Sequence, residues 1–454
     1  MAEAATAAPS RPDAKPVRQV SLRGLPPGPR LPAPAQTIGL LARPVPFFEA
    51  CRRRFGQTFT LRILRAGELV FLSDPPSLKA LFAADRRNTI APGRNVILRP
   101  LLGNQSLLLQ EGDEHLRRRK LMLPPFHGER MRAYEAVMSA AADRAIHSWP
   151  LGAEFRLHHS MQAITLDVIV TAVFGVEDDA RRDALRERLI EILATTRSPL
   201  AVALTFERAR VLPRLRRTAE MIDEADEILL AQIAERRADP KLGEREDILS
   251  MLLAARFDDG SAMSDAEVRD QLMTLLLAGH ETTATALAWA FDLLFRSPAK
   301  LERLRDEIAA GDAHDYLDAV IKETLRIRPV VPQIGRELRE PSELGGYELP
   351  AGTVVMPAIY LVHTRPDVYP QPYEFRPERF LGEGPETFGW IPFGGGTRRC
   401  IGAAFAEFEM RVVLSRILRR ATLRPATDRP ERMVRRNVTL SPRGGTPAVL
   451  VERR

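Results

Sequence analysis

The stretch Phe393-Gly394-Gly395-Gly396-Thr397-Arg398-Arg399-Cys400-Ile401-Gly402 decides how this chain is read. It presents one thiol inside a glycine-built loop, two residues after an arginine. A cysteine binds metal as the thiolate, and a metal, backbone amides and nearby cations are what lower a thiol's pKa enough to give one. Gly394, Gly395, Gly396 and Gly402 let the backbone approach a flat macrocycle closely. Arg398 can reach an acidic group on such a macrocycle as a charge-assisted pair. The other cysteine, Cys51, lies beside Arg52, Arg53 and Arg54 with no such frame and reads as a small buried hydrophobe.

The run resembles the haem-binding signature of the cytochrome P450 monooxygenases, F-x-x-G-x-R-x-C-x-G, with Phe393, Gly396, Arg398, Cys400 and Gly402 at its fixed positions. The resemblance implies haem b (iron protoporphyrin IX) as cofactor, Cys400 as the ligand to its iron, Arg398 at a propionate and O2 as co-substrate. It also implies the cytochrome P450 fold: mainly α with a minor β part, the haem lying between a long central helix and the helix that follows the cysteine loop.

The rest of the chain can be read against that expectation. Residues Thr58 to Ser73 alternate apolar and polar side chains around Ala66-Gly67, which predicts a β-hairpin. From about 130 to 330 the apolar residues recur at helical spacing, with Gly and Pro confined to breaks. Ser264-Asp265-Ala266-Glu267 has the pattern of a capping box, and no proline follows until Pro298. The helix predicted there is on the order of 48 Å long, enough to cross the molecule. After Pro329 short strands and loops are expected, and a second helix from Ile401 to about Ala421.

In the middle of the long helix, Leu275-Leu276-Leu277-Ala278-Gly279-His280-Glu281-Thr282-Thr283 sets a glycine and polar groups in an apolar run. Burying them costs free energy unless they find partners, and a hydroxyl on the next turn can open the helix ladder locally. A buried helix with a satisfied threonine gives the same pattern. The segment resembles the family motif A-G-x-[DE]-T-T at Ala278, Gly279, Glu281, Thr282 and Thr283. That resemblance makes Thr282 and Glu281 the catalytic pair: the hydroxyl stabilises the oxygen species being split, and the acid relays protons. His280 holds the variable position, as a sixth iron ligand or as a residue with a solvent or backbone contact.

Glu323 and Arg326, three apart on a predicted helix, share a face and can pair. They form either a solvated surface pair or, as the resemblance implies, a structural network with Arg379 of Phe375-Arg376-Pro377-Glu378-Arg379-Phe380 that fixes the cysteine loop. His115 and Arg119, four apart on a helix starting near Asp113, and Arg336 are further propionate ligands by the same resemblance. The run Arg117, Arg118, Arg119 and Lys120 reads alternatively as a solvated basic face, and Arg117, Arg118 and Arg399 as a cationic patch for an acidic electron donor. The resemblance puts substrate against the loop from about Arg87 to Gln110, Leu277 and Ala278, Val330, Val331 and Ile334, and Leu440 with its neighbours.

Composition narrows the class further. The net charge of +7 comes from 66 basic and 59 acidic residues dispersed among one another, with three Trp and six Tyr, which excludes a nucleic-acid surface. No run of 18 apolar residues exists, so no membrane anchor is expected. Residues 1–24 are read as a disordered tail and 25–454 as a single catalytic domain. Two cysteines without disulfide spacing suit the cytoplasm. With no flavin or iron–sulfur motif in the chain, electrons must come from outside, and a ferredoxin with its NAD(P)H-driven reductase is the expected donor. The expected activity is hydroxylation of a hydrophobic small molecule such as a fatty acid, terpenoid, steroid or polyketide by a monomer. A peroxygenase using hydrogen peroxide, or a haem sensor, is the alternative.

Overall fold

The computed structural model describes residues 24–454 except 86–88, 91–98, 129, 177–178, 197–212, 312–313, 383 and 386. Nearly all of the tail reading therefore lies outside the described residues, as does part of the loop from Arg87 to Gln110. Near the N-terminus the expected hairpin forms: β1 (Thr58–Ile63) pairs antiparallel with β2 (Gly67–Leu72), with Phe59 opposite Phe71 and Leu61 opposite Leu69. Three more strands, β3 (Thr89–Ile90), β4 (Arg336–Leu338) and β5 (Val354–Pro357), complete a sheet of order β1-β2-β5-β4-β3. β2 and β5 run parallel, because the whole helical bulk of the chain lies between them in sequence.

Seven helices carry the argument: α1 (Ala33–Ala42), α2 (Gly112–Met122), α3 (Arg130–Ser148), α4 (Leu157–Val168), α5 (Asp265–Phe295), α6 (Asp315–Ile327) and α7 (Ala403–Arg420). α5 is the expected long helix. Ser264 accepts from the Glu267 amide and the Glu267 carboxylate accepts from the Ser264 amide, a complete capping box. Its 31 residues span about 46 Å, and from Val268 onward the helix is buried almost all round, as befits a central strut. α4, α6 and α7 pack along it.

Polar residues on the first half of α5 are spent on holding a neighbouring segment. Asp270 accepts from the Gln105 amide (2.8 Å), Gln271 exchanges bonds with Leu107 and Gln105, and Thr274 meets Ser106 at 2.7 Å. Gly103, with φ of 77°, sits where a Cβ would fall 1.9 Å from the Asp270 carboxylate. The part of the expected substrate loop from Gly103 to Gln110 is thus fastened to the central helix.

Ser264→Ala removes one half of the capping box and is expected to cost about 1 kcal/mol. A shift of the urea midpoint with unchanged slope would report it; an unchanged midpoint would show that packing alone holds this end of α5.

Candidate active site

The cysteine loop closes on itself. The Cys400 amide donates to the Phe393 carbonyl (2.9 Å), the Gly394 amide to Ile391 (3.0 Å) and the Arg399 amide to Gly396 (3.2 Å). Gly394 and Gly396 have φ of 70° and 68°, a conformation that suits glycine. A Cβ on Gly396 would lie 2.5 Å from the Asp85 carboxylate, and one on Gly395 2.5 Å from the Phe82 ring. These two glycines therefore serve the packing of the loop against the chain around Asp85. A Cβ on Gly402 would meet nothing within 4 Å, so the backbone beside the thiol faces open space.

Cys400 is solvent-accessible, although protein packs around its thiol. Burial pushes its thiol above the usual value, against the pull of the Gly402 amide and of Arg119 and Arg399. The amide and the cations pull it down, but the cost of dehydrating the charge outweighs them. A metal at the sulfur is then what makes the thiolate.

Behind the loop, Glu323 and Arg326 are fully buried and pair through two bonds, at 2.6 and 2.8 Å. Arg326 donates further to the carbonyls of His363, Pro372 and Glu374 and stacks on Tyr369. Glu323 also accepts the Arg376 amide at 2.8 Å and lies 3.5 Å from Arg379. The three residues named from sequence do meet, and the solvated surface pair is excluded by their burial. Sequence reasoning missed His363, a fully buried residue that links this network to the loop. Its Nδ1–H donates to the Arg326 carbonyl (3.1 Å), and its Nε2 accepts the Ile391 amide (2.9 Å), two residues before Phe393.

On the other side His115, Arg119, Arg336 and Arg398 gather. Burial, then Arg398 and Arg119, hold the His115 imidazole down to about 4, so it is neutral at pH 7. Arg398 donates to the Gln110 carbonyl at 2.5 Å, and Arg336 pairs with the buried Asp85 at 2.6 Å. Asp85, which also accepts the Thr397 hydroxyl, was not anticipated; a lone aspartate before a basic pair carries no signal of its fold position. The basic run on α2 is solvated only in part. Adjacent helix residues point apart, so Arg118 is buried against Glu267 (2.8 Å), Arg117 pairs with Asp259 and stacks on Phe257, and Lys120 pairs with Asp258 (2.7 Å). Of Arg117, Arg118 and Arg399, the first and last are exposed and Arg118 is buried.

The central helix α5 offers one accessible strip in an otherwise buried stretch: Ala278 is exposed, and Leu277, Gly279, Glu281 and Thr282 are half-buried. The helix stays continuous. Instead of opening the ladder, the Thr282 hydroxyl donates back to the Ala278 carbonyl at 2.6 Å. Glu281 reaches to α4, accepting from Gln162 Nε2 (2.5 Å) and lying 3.6 Å from His158 Nε2, itself 3.1 Å from the Thr285 hydroxyl. His158 and Gln162, four apart on one face of α4, were legible only as polar interruptions of an apolar helix. His280 is buried, and its carbonyl accepts the Thr165 hydroxyl; two residues on from Ala278, its side chain projects to the far side of the helix, away from the accessible strip. Thr283 also turns away, bonding to the buried Glu409 of α7, whose carboxyl burial pushes up to about 8.

Of the expected pocket residues, Leu277, Ala278, Val331 and Ile334 keep accessible surface. Val330 and Leu440 do not. The Leu440 amide donates to the Val330 carbonyl (2.7 Å) and its carbonyl accepts the Trp289 indole N–H (2.8 Å), which closes that strand into the core.

A family model described as "Cytochrome P450" matches residues 26–447. The chain belongs to the cytochrome P450 family. It is 46% identical over 433 residues to cytochrome P450 135B1 of Mycobacterium tuberculosis, covering 94% of this chain and 91% of that one. It is 42% identical over 398 residues to cytochrome P450 137 of the same organism, covering 87% and 83%. Among solved structures, the retinoic acid-bound cyanobacterial CYP120A1 superposes with a TM-score of 0.82 at 27% identity, covering 95% of this chain and 100% of that one. The cytochrome P450DA heme domain gives 0.82 at 25%, covering 95% and 98%. This P450 is accordingly a haem monooxygenase that uses O2, and its fold is the P450 fold. No helix among the described residues is long and apolar enough to cross a membrane.

The residues present fit the cofactor. The accessible Cys400 thiol would hold the iron, and three guanidiniums with a neutral imidazole would supply donors in excess of the acids beside them, as two propionates require.

Glu323→Ala strands Arg326 as an unpaired buried charge, at a cost of roughly 3 to 5 kcal/mol. Haem-free or insoluble protein is expected, and normal haem content on purification would refute the bracing role. His363 supplies a pH test. Burial, then Arg326, hold its folded pKa down to about 3, whereas in the unfolded chain it takes a proton near 6.5. Below 6.5 the unfolded state binds more protons, so stability falls as pH drops towards 3. His363→Gln should flatten the acid slope of thermal unfolding across that window; an unchanged slope would clear His363 of responsibility.

Proposed function

We propose that this P450 hydroxylates an unactivated C–H bond of a hydrophobic small molecule, such as a fatty acid, terpenoid, steroid or polyketide. The observation that carries this reading is the accessible strip on α5, where Ala278 is exposed, Thr282 half-buried and bonded to it, and Glu281 beside them. The surface around it, Leu277, Ala278, Val331 and Ile334, is aliphatic, which suits an apolar substrate. The cyanobacterial neighbour's description names bound retinoic acid, itself largely apolar, in agreement with that class.

When bound, haem would supply the oxygen chemistry, with Cys400 holding its iron. In the proposed roles, Arg398, Arg336, Arg119 and His115 hold the propionates, Gly402 leaves room beside the sulfur, and Phe393 closes the loop by accepting the Cys400 amide. Glu323, Arg326 and Arg379 brace that loop. Thr282 holds the water that delivers protons, and Glu281, poised by Gln162 and His158, passes them inward. A proton route of this kind serves O2 as oxidant; a peroxygenase or a sensor has less use for it. Electrons come from a ferredoxin and its NAD(P)H-driven reductase, and the enzyme works as a cytoplasmic monomer with residues 25–454 as one catalytic domain.

The red-shifted band of the reduced, carbon monoxide-bound protein reports the thiolate, and expulsion of water from the ferric site by candidate substrates sorts the substrate class. Thr282→Ala is expected to keep both signals while diverting reducing equivalents to hydrogen peroxide. Product formation that stays fully coupled to electron consumption in that variant would sink the relay.

A further inference from the structure

Buried arginines in this fold are matched by acids. Arg326 has Glu323, Arg336 has Asp85, Arg236 has Asp247, and Arg118 has Glu267. Arg435 has no such match. It stands in β6 (Met433–Arg436), which pairs antiparallel with β7 (Thr439–Pro442). Residues 429–443 hold five arginines and a single acid. Arg429, Arg432, Arg436 and Arg443 are exposed, whereas Arg435 is half-buried. Glu431 is engaged elsewhere, accepting the amides of Gly444 (2.8 Å) and Thr446 (2.9 Å).

The Arg435 Nε donates to the Asn437 carbonyl at 2.8 Å, which fixes the plane of the guanidinium. Its Nη1 is buried without a hydrogen-bond partner, and no acid among the described residues pairs with it. Burial holds its pKa below the ordinary value, with no carboxylate nearby to raise it again. A cation withdrawn from water and left unmatched costs free energy, and an unsatisfied buried donor calls for a reason. A guanidinium held by its Nε, with the Nη edge free, has the shape that takes a carboxylate through two parallel bonds.

The hairpin borders the aliphatic wall. Leu440 lies opposite Arg435 in the register, and its amide donates to the Val330 carbonyl. Val331, the next residue, keeps accessible surface. Two strand spacings, about 10 Å, thus separate the Arg435 backbone from that of Val330. β7 also hangs on α5 through the Trp289 indole, about two turns beyond Thr282.

We infer that Arg435 is a subsite for a carboxylate on the substrate, remote from the carbon that is oxidised. The acid group docks on the Nη edge while the hydrocarbon lies along Val331 and Ile334 towards Ala278 and Thr282. This rests on the α5 strip as the place of oxidation, and it narrows the substrate from apolar molecules at large to apolar acids.

The test is titration of the haem-loaded full chain with dodecanoic acid and with retinoic acid, each against its methyl ester, followed by the ferric absorption shift. Wild type should bind at least one acid about tenfold or more tightly than its ester. Arg435→Met should abolish that preference by weakening the acid, and Arg435→Lys should keep part of it. Because no acid is stranded when Arg435 leaves, Arg435→Met should retain full haem content and a thermal midpoint no lower than that of wild type. Equal binding of acids and esters by wild type, a preference that survives in Arg435→Met, or a variant that loses haem or melts well below wild type would each overturn the subsite. Neutral apolar compounds that shift the ferric band where the acids do no better would sink the carboxylate and leave the proposed hydroxylation standing; a wild type that no apolar compound shifts would end both.

Discussion

Everything below the cofactor cleft rests on one buried ion pair, Glu323 with Arg326, neither of which reaches solvent. Such a pair is not a source of stability in itself, since dehydrating both charges costs about what their attraction returns. Its value is geometric. Arg326 has its guanidinium shared among Glu323 and three carbonyls from a loop more than thirty residues downstream, and its own carbonyl is capped by His363. Through the Ile391 amide the same histidine grips the approach to the cysteine. α6, the Pro372–Arg379 segment and the cysteine loop thus share one polar knot, and the sulfur's position follows from it.

The two faces of the site are built on different principles. The thiolate side is made of loop, and glycines, hydrogen bonds and packed carboxylates hold it in a shape that regular structure could not give. The opposite side is a continuous helix, almost wholly enclosed, that exposes little more than Ala278, Thr282 and their neighbours. Rigid backing on one side and a fitted loop on the other let side chains of α5 be changed without disturbing the ligand.

Much of this was legible beforehand because it resides in local patterns. The capping box before α5, the hairpin around Ala66-Gly67 and the ligand loop each depend on residues close in sequence, and the structure reproduces them. Long-range pairing was not legible. Asp85 reaches Arg336 across some 250 positions, His158 and Gln162 meet Glu281 from another helix, and the carboxylates of residues 258, 259 and 267 consume charges on α2 that read as a free basic run. Burial of Leu440 was equally hidden, since an aliphatic residue looks the same in a pocket wall and in a core.

The carboxyl of Glu409 ties α7, beneath the cleft, to Thr283 of α5 above it, and with its pKa near 8 it is mostly protonated at neutral pH. The tie that sets the gap between the two helices is then an uncharged one. Counter-ions have little hold on such a bond, whereas the exposed arginine pairs at the rims of the molecule weaken as salt is raised.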